Sequence, residues 1–358
     1  MSDLEKSPLD AFHREAGGRM EPVAGWEMPV MYQSALEEHK AVREAVGQFD
    51  ISHLGKIFVD GEEAEKWLNG LFSNDVASLK DGQGHYTFLL NEQGGVLDDL
   101  ILYRIVEGQY FLVANAVSVA SVLSWFGYHA VEGVSFRNES AGLAGIAVQG
   151  PNAIDVFSRV FGGRCLPARN GVDVLSIEGQ KIWVCRTGYT GEDGFEFFCL
   201  PGSAERWWEE FEEAGAKPCG LNARDSLRLE KCYPVNGLDL GPERTPLEAG
   251  LGFFVKLDKG EFIGSELLKK QKDEMPSEKW VAILCDEKGV SPCPGFPVLN
   301  AEGAPIGVLT SGVLSPTLGV GIGMAYLPSS QVEEGLRVFI EAGGNKMSAK
   351  VVKKPFVA

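Results

Sequence analysis

The chain has 358 residues, is 44% hydrophobic and carries a formal net charge of -17 at pH 7. This length exceeds what one hydrophobic core usually supports, which predicts a multidomain globular protein, and the acidity argues against a nucleic-acid partner because no strong Lys/Arg run offsets it. No apolar run reaches the roughly 20 residues of a membrane helix, and the N-terminal stretch is too acidic for a transit peptide and lacks a signal-peptide core, so we expect no membrane partner and a cytoplasmic location.

The first third of the chain combines helical and strand patterns. Residues 34–46 have helical spacing up to Gly47, and residues 57–61 are typical of a strand that leads into a helix over 62–72. Three strands joined by short turns then predict an antiparallel meander over 85–115.

The middle third repeats this mixture. An amphipathic helix is predicted over 116–131, a strand-to-helix step over 146–161 and a second β stretch over 181–200. Helices over 203–215 and 222–232 follow. Because strands and helices are mixed rather than strictly alternating, the fold class predicted for this part is α+β.

The last part of the chain changes texture. Short strands separated by Gly and Pro, with little helical periodicity, predict a β-barrel or sandwich after about residue 276, and we expect a linker at 269–279 (KKQKDEMPSEK). The predicted domains are therefore 1–275 and 276–358.

Two adjacent aspartates, Asp98 and Asp99, stand in the apolar strand VLDDLILY. Because strand side chains alternate, the pair points to opposite faces, and at most one of them enters a given pocket. Burying a carboxylate costs free energy unless it is paired or hydrogen-bonded, so such a residue either caps turn amides at the mouth of the hairpin or serves proton transfer in a dry site. The strand pattern leaves both interpretations open.

The segment RTGYTGEDGFEFF carries a second group of polar residues, Tyr189, Glu192, Asp193 and Glu196. It contains no phosphate-binding glycine motif. A carboxylate among phenylalanines suits two parallel N–H groups at the edge of a heterocycle, although Glu196 is equally typical of an outward-facing strand residue. Glu192 and Asp193 are more typical of a solvated turn.

Two arginines, Arg224 and Arg228, stand at positions i and i+4 of a predicted helix. They share a face, which is unfavourable without an anion. That anion is by default an intramolecular partner such as Asp225 or Glu230, and alternatively a ligand carboxylate.

Metal and nucleophilic chemistry have little support in the sequence. The seven cysteines are never spaced as CxxC, and the five histidines lack HxxxH or HExxH spacing, so no disulfide framework or metal site is expected. His53 is more typical of a structural histidine than of a base. No GxSxG elbow is present.

Read in order, the segments GGVLDDL, GYTGEDGFE, ARDSLRLE and TSGVLSPTL, with others between them, resemble the glycine cleavage T-protein (aminomethyltransferase) family almost end to end. This resemblance implies a cloverleaf-like folate-binding α+β region of antiparallel sheets with helices, followed by a C-terminal β-barrel. It implies a tetrahydrofolate-dependent transfer of the aminomethyl group from lipoyl H-protein, giving methylenetetrahydrofolate and ammonia. By the same resemblance Asp99 is the catalytic residue, and the folate contacts are Tyr86, Asn115, Tyr189, Glu196 and Arg228.

The chain departs from the family's usual residues at four positions, Leu54, Asn236, Phe253 and Cys293. Changes at positions associated with the pocket alter what a site holds. They favour one alternative, a folate-dependent demethylase or related one-carbon transferase acting on a small free donor. A second alternative is a noncatalytic folate-binding relative that supports iron–sulfur protein maturation, but EKCYPVNGLD departs from that branch's KGCYxGQE signature.

Overall fold

The structure is a computed structural model that describes residues 4–358. Contact density divides the chain into two compact units. The first unit holds Leu97–Arg224 together with the chain up to Leu89, and the second holds Leu90–Val96 and Asp225–Ala358. The units divide between Arg224 and Asp225, and this division by contacts does not test where the barrel domain begins. The predicted domain boundary at residue 276 stays a prediction.

Within residues 4–358 the α-helices are α1 Asp10–Glu15, α2 Ala35–Glu44, α3 Ala64–Leu71, α4 Val119–Tyr128, α5 Ala153–Val160, α6 Ala204–Glu213, α7 Leu221–Glu230 and α8 Ser265–Glu274. Local sequence explains their ends and faces. The hydroxyl of Ser34 accepts a hydrogen bond from the amide of Glu37 and so caps α2. The indole and phenyl rings of Trp207, Trp208 and Phe211 form the buried face of α6, while its glutamates face solvent.

The strands of the same residues are β1 Glu5–Lys6, β2 Arg19–Val23, β3 Trp26–Met31, β4 Gly47–Asp50, β5 Gly55–Asp60, β6 Gln83–Leu90, β7 Val96–Val106, β8 Gln109–Ala114, β9 Ser135–Asn138, β10 Ala144–Gln149, β11 Val172–Ile177, β12 Gln180–Cys185, β13 Gly194–Cys199, β14 Lys217–Pro218, β15 Glu278–Lys288, β16 Pro297–Leu299, β17 Pro305–Leu314, β18 Val320–Pro328, β19 Arg337–Ala342 and β20 Asn345–Val352. They form four sheets. The strand orders are β1-β3-β2, β11-β12-β13-β10-β4-β14, β6-β7-β8-β5-β9 and, as a closed barrel, β15-β18-β17-β16-β19-β20.

Two faces of the six-stranded sheet are buried in the first unit. Alternation along β10 and β13 sends one set of side chains, including Ile146 and Phe197, into a core with Trp208 and Phe211 of α6. The opposite set, including Phe198 and Glu196, faces the five-stranded sheet.

Aromatic rings join the five-stranded sheet to the six-stranded sheet. Phe58 and Phe111, on neighbouring strands, stack with ring centroids 4.7 Å apart. Phe58 lies 5.2 Å from Trp183, and Phe111 lies 5.3 Å from Phe198. These contacts fix which face of β7 is turned toward β13, since Tyr103 is paired with Phe111.

The second unit is built on the barrel. Its inward side chains alternate along each strand, for example Val281, Ile283 and Cys285 of β15 and Val338 and Ile340 of β19. The predicted α+β class is confirmed, and of the two β architectures predicted for the C-terminal part the barrel is the one formed.

The predicted linker at 269–279 is wrong in its first half, because α8 runs to Glu274 and only residues 275–277 separate it from β15. The prediction failed because a lysine-rich helix with a narrow apolar face has the same composition as a solvated linker. Within residues 4–358 no helix is both long and apolar enough to cross a membrane.

Candidate active site

Asp99 lies near the start of β7, in the meander predicted over 85–115. Both aspartates of the pair are buried, and the side-chain oxygen of Asn91 accepts hydrogen bonds from the turn amides of Gln93 and Gly95. The turn-capping alternative therefore gains no support from these hydrogen bonds.

One side chain, that of Asn115, reaches both aspartates. Its Nδ2 lies 2.9 Å from Oδ1 of Asp98 and 3.0 Å from Oδ1 of Asp99, and also donates to the carbonyl of Asp99 at 2.7 Å. Asn115 follows β8 directly, where the chain leaves the sheet, so its side chain spans the two faces that alternation assigns to the aspartates.

The hydroxyl of Tyr86 donates to Oδ2 of Asp99 at 2.7 Å, so both carboxyl oxygens of Asp99 are engaged. Burial raises the pKa of Asp99 well above its ordinary value, and the neighbouring charge of Asp98 raises it further; the hydrogen bonds from Tyr86 and Asn115 offset part of this. Burial, followed by the charge of Asp99, also raises the pKa of Tyr86. A buried carboxyl whose pKa is raised in this way has the environment expected of a proton-transfer group.

Glu196 occupies the face of β13 that is turned toward β7. It is buried, which excludes the outward-facing interpretation. Tyr103 donates to Thr187 at 2.7 Å, and Thr187 donates to Oε2 of Glu196 at 2.7 Å. Burial raises the pKa of Glu196, while the hydrogen bond from Thr187 and the charge of Arg224 lower it. Asp99 and Tyr103 share a face of β7 four residues apart, which corresponds to about 13 Å along the strand.

Tyr189 and Arg224 lie beside these carboxyls. The guanidinium carbon of Arg224 is 4.5 Å from the centroid of the Tyr189 ring, a cation–π contact. The charge of Arg224 also lowers the pKa of Glu196, and Tyr189 is close enough to Tyr86 to raise its pKa. Asp99, Tyr86, Glu196, Tyr189 and Arg224 therefore form one polar group in the first unit.

Arg228 has a different environment, in the second unit. It is 2% exposed, and its guanidinium contacts Asp239 at 2.9 Å, Asp225 at 2.8 Å and the hydroxyl of Ser311 at 2.9 Å. These contacts favour the intramolecular ion pair left open by the sequence. Sequence spacing places Arg224 and Arg228 on the same helical face and does not show which of them has an intramolecular partner. That shared face was the only feature of the sequence that pointed to Arg224.

The glycine-rich segment places its other acids in ion pairs. Oε1 of Glu192 lies 2.8 Å from Nη1 of Arg43, and Oδ2 of Asp193 lies 2.7 Å from Nη2 of Arg186. They hold the loop that carries Tyr189.

The positions at which the chain departs from the family pattern are scattered. Leu54 is buried in the first unit, next to Gly55, which pairs with Ala114. Asn236, Phe253 and Cys293 lie in the second unit, Phe253 being 78% exposed. In residues 4–358 no group of three or more His, Cys, Asp or Glu side chains is arranged to hold a metal ion.

The fold and the site define an α+β protein with a C-terminal barrel and a group of buried carboxyls, Asp98, Asp99 and Glu196, in its first unit. A family model described as the GCVT N-terminal domain matches residues 9–259, and one described as the glycine cleavage T-protein C-terminal barrel domain matches residues 279–358. The chain therefore belongs to the glycine cleavage T-protein family.

Individual relatives agree with this assignment. An aminomethyltransferase of Halalkalibacterium halodurans is 41% identical over 362 residues, covering 99% of each chain, and one of Bacillus subtilis is 39% identical over 360 residues, also covering 99% of each. The crystal structure of the glycine cleavage system aminomethyltransferase T from Bartonella henselae is similar with a TM-score of 0.93 and 34% identity, covering 99% of this chain and 98% of that one. The predictions of the family and of a one-carbon group transferase are confirmed, and the demethylase alternative gains no support.

Proposed function

We propose that this chain is a tetrahydrofolate-dependent aminomethyltransferase of the glycine cleavage system, which takes the aminomethyl group from lipoyl H-protein and releases ammonia. The observation that carries the proposal is the buried Asp99 carboxyl, fixed by Tyr86 and Asn115 in the same unit as a second buried carboxyl, Glu196. We further propose the cytoplasm as its compartment, supported by seven cysteines in the free form.

The first unit offers groups that fit a pterin. Thr187 engages Oε2 of Glu196, and among the described residues no hydrogen bond to Oε1 is formed, so this oxygen is available to an N–H donor. A carboxylate matches two parallel N–H groups on the edge of a heterocycle. Folate also carries a negative glutamyl tail, which suits the cation of Arg224.

We assign to Arg224 the folate contact that the resemblance gives to Arg228. Arg224 stacks on Tyr189 and its charge reaches Glu196, whereas Arg228 is held by Asp239 and Ser311. The folate contacts proposed are therefore Tyr86, Asn115, Tyr189, Glu196 and Arg224.

Bound folate supplies the nitrogen that accepts the one-carbon unit. Asp99 acts on protons: in its protonated form it can give a proton to the departing amine, and as a carboxylate it stabilises positive charge on the carbon in transit. Asn115 and Tyr86 fix the direction of its oxygens, and burial keeps water away from them.

The test is a turnover assay with tetrahydrofolate and aminomethylated H-protein, which should release ammonia only when both are present. Wild-type protein that binds tetrahydrofolate yet releases no ammonia from loaded H-protein would overturn the proposal. Activity on a free methylated amine or sulfonium without H-protein would favour the demethylase alternative instead.

A further inference from the structure

A buried lysine that the proposed chemistry does not use lies on β5, two strands away from the strand of Asp99 in the five-stranded sheet. Lys56 is fully buried on β5, and its Nζ donates to the carbonyls of Ser52 at 2.7 Å and Leu54 at 2.8 Å. Burial of an ammonium costs free energy, and among the described residues no carboxylate forms an ion pair with it. Such a group is expected to have a specific task.

The carbonyls that Lys56 holds belong to the 51–54 loop, which joins β4 to β5. The loop is also anchored by the side chain of Asp50, which accepts from the amide of Ser52 at 2.8 Å, and by the carbonyl of Gly145, which accepts from the amide of Ile51 at 2.9 Å. Lys56 therefore adds two hydrogen bonds to a loop whose first residues are already held by Asp50 and Gly145.

This loop lies beside Asn115. Gly55 is the register partner of Ala114, so Leu54 is adjacent to Asn115, the residue that donates to Asp99. A shift of the loop would therefore disturb Asn115.

Resting on the proposed function, we infer that Lys56 is a positioning residue for one-carbon transfer, because its ammonium holds the 51–54 loop against Asn115 and so keeps the Asn115–Asp99 hydrogen bond in register. Loss of the proton would leave a neutral amine, whose two remaining N–H groups form weaker hydrogen bonds than those of an ammonium, so the two carbonyls would be held less tightly and the loop would relax.

The protonation of Lys56 falls in an accessible range. Burial lowers the pKa of Lys56 to about 7, against the charge of Asp50, which raises it. The other titratable or charged groups facing this region are His53 of the loop and Arg224 of α7; burial, followed by the charge of Arg224, lowers the pKa of His53 to about 3, so His53 stays neutral and leaves the charge of the loop to Lys56.

Activity and stability should respond to pH in opposite directions. Since the pKa of Lys56 is lower in the folded chain than in the unfolded one, its contribution to the free energy of unfolding increases as the pH rises from 7 toward 10. The turnover rate kcat should fall over the same interval because the loop loses its cation. A lysine with a purely structural role would not separate the two quantities.

The experiment compares wild type, Lys56→Met, Lys56→Arg and Lys66→Met in the H-protein assay. Lys66 is the matched control, since its side chain is 88% exposed in the same unit. Lys56→Met should lower kcat by about 10- to 100-fold with a smaller change in KM for tetrahydrofolate, the size expected for misplaced catalytic groups. Lys56→Arg, whose cation does not titrate, should remove the loss of kcat above pH 7, and Lys66→Met should match wild type.

Equal kcat and equal pH profiles for wild type and Lys56→Met would overturn the inference. If Lys56→Met does not fold, the outcome rests on Lys56→Arg: an alkaline loss of kcat identical to that of wild type would also overturn it. An inactive wild-type protein would count against the proposed function, whereas an active wild type with an equally active Lys56→Met variant would count only against the role of Lys56.

Discussion

Asp99→Asn is the sharpest test of the site because the structure accommodates the amide. In the variant, Oδ1 of the new side chain can still accept a hydrogen bond from Asn115. Its Nδ2 can donate a hydrogen bond to the hydroxyl of Tyr86, which rotates to accept it. The side chain keeps its volume and both neighbours. A loss of activity would then report the lost acid–base group rather than a cavity.

The expected loss of kcat is about 10²- to 10⁴-fold, the usual contribution of a positioned proton-transfer group, which corresponds to about 3 to 5 kcal/mol of activation free energy. The free energy of unfolding, in contrast, should not decrease. The folded pKa of Asp99 is raised by burial and by Asp98, so its contribution to the free energy of unfolding is present below the unfolded pKa and is lost as the pH rises through the folded pKa. Removing this ionisable group should therefore leave the free energy of unfolding at pH 7 unchanged or raise it by about 1 to 2 kcal/mol.

The assay combines ammonia release from loaded H-protein with urea unfolding at pH 5 and pH 7. The stability difference between variant and wild type should be larger at pH 7 than at pH 5, because the raised pKa of Asp99 makes folding of the wild type take up a proton, which costs more free energy at the higher pH. Retention of more than a tenth of wild-type kcat, or a variant less stable than wild type at pH 7, would refute the assignment of Asp99 as a buried proton-transfer group.

Three further tests separate binding from structure. Glu196→Gln should weaken tetrahydrofolate binding by about 10- to 100-fold, or 1.4 to 2.8 kcal/mol, in a fluorescence titration, and unchanged affinity would exclude Glu196 as the pterin contact. Arg224→Met should weaken the same binding with little effect on unfolding, whereas Arg228→Met should lower the free energy of unfolding by about 3 to 5 kcal/mol because the buried Asp239 loses its partner; the reverse pattern would restore Arg228 as the folate contact. Burial raises the pKa of Asp50, but the hydrogen bond and charge of His13 and the hydrogen bonds from Ser52 and Ser7 outweigh it and lower the pKa to about 2. Asp50 should therefore contribute about 2 kcal/mol that is present above pH 4 and lost as the pH falls toward 2, so Asp50→Asn should flatten acid unfolding in that interval.

Periodicity predicted the elements that bury a continuous apolar face. Each short strand predicted after residue 276 corresponds to one strand of the barrel, and the helix over 203–215 contains α6. Elements with little side-chain pattern were not predicted: β4 and β14 are short, and α8 is rich in lysine. Their positions depend on pairing with distant strands or on tertiary packing, which no local window contains.

Some residues of the candidate site could be predicted from the sequence and others could not, because only some of them stand out from their local neighbours. Asp99 and Glu196 are acids among apolar neighbours, so the cost of their burial is visible in the sequence. Arg224 and Arg228 share one helical face, and only their different partners, Tyr189 and Asp239, distinguish them. Lys56 gave no signal, because a lysine at the start of a strand ordinarily faces water.

The shared amide of Asn115 has a consequence for how this enzyme should be titrated. Its two hydrogens serve oxygens of both Asp98 and Asp99, so ionising one carboxyl changes the hydrogen bonding available to the other. The acid limb of a pH–rate profile would then have apparent constants that belong to the pair rather than to either aspartate. A single-residue assignment would require the profile of an Asp98→Asn variant measured beside that of wild type.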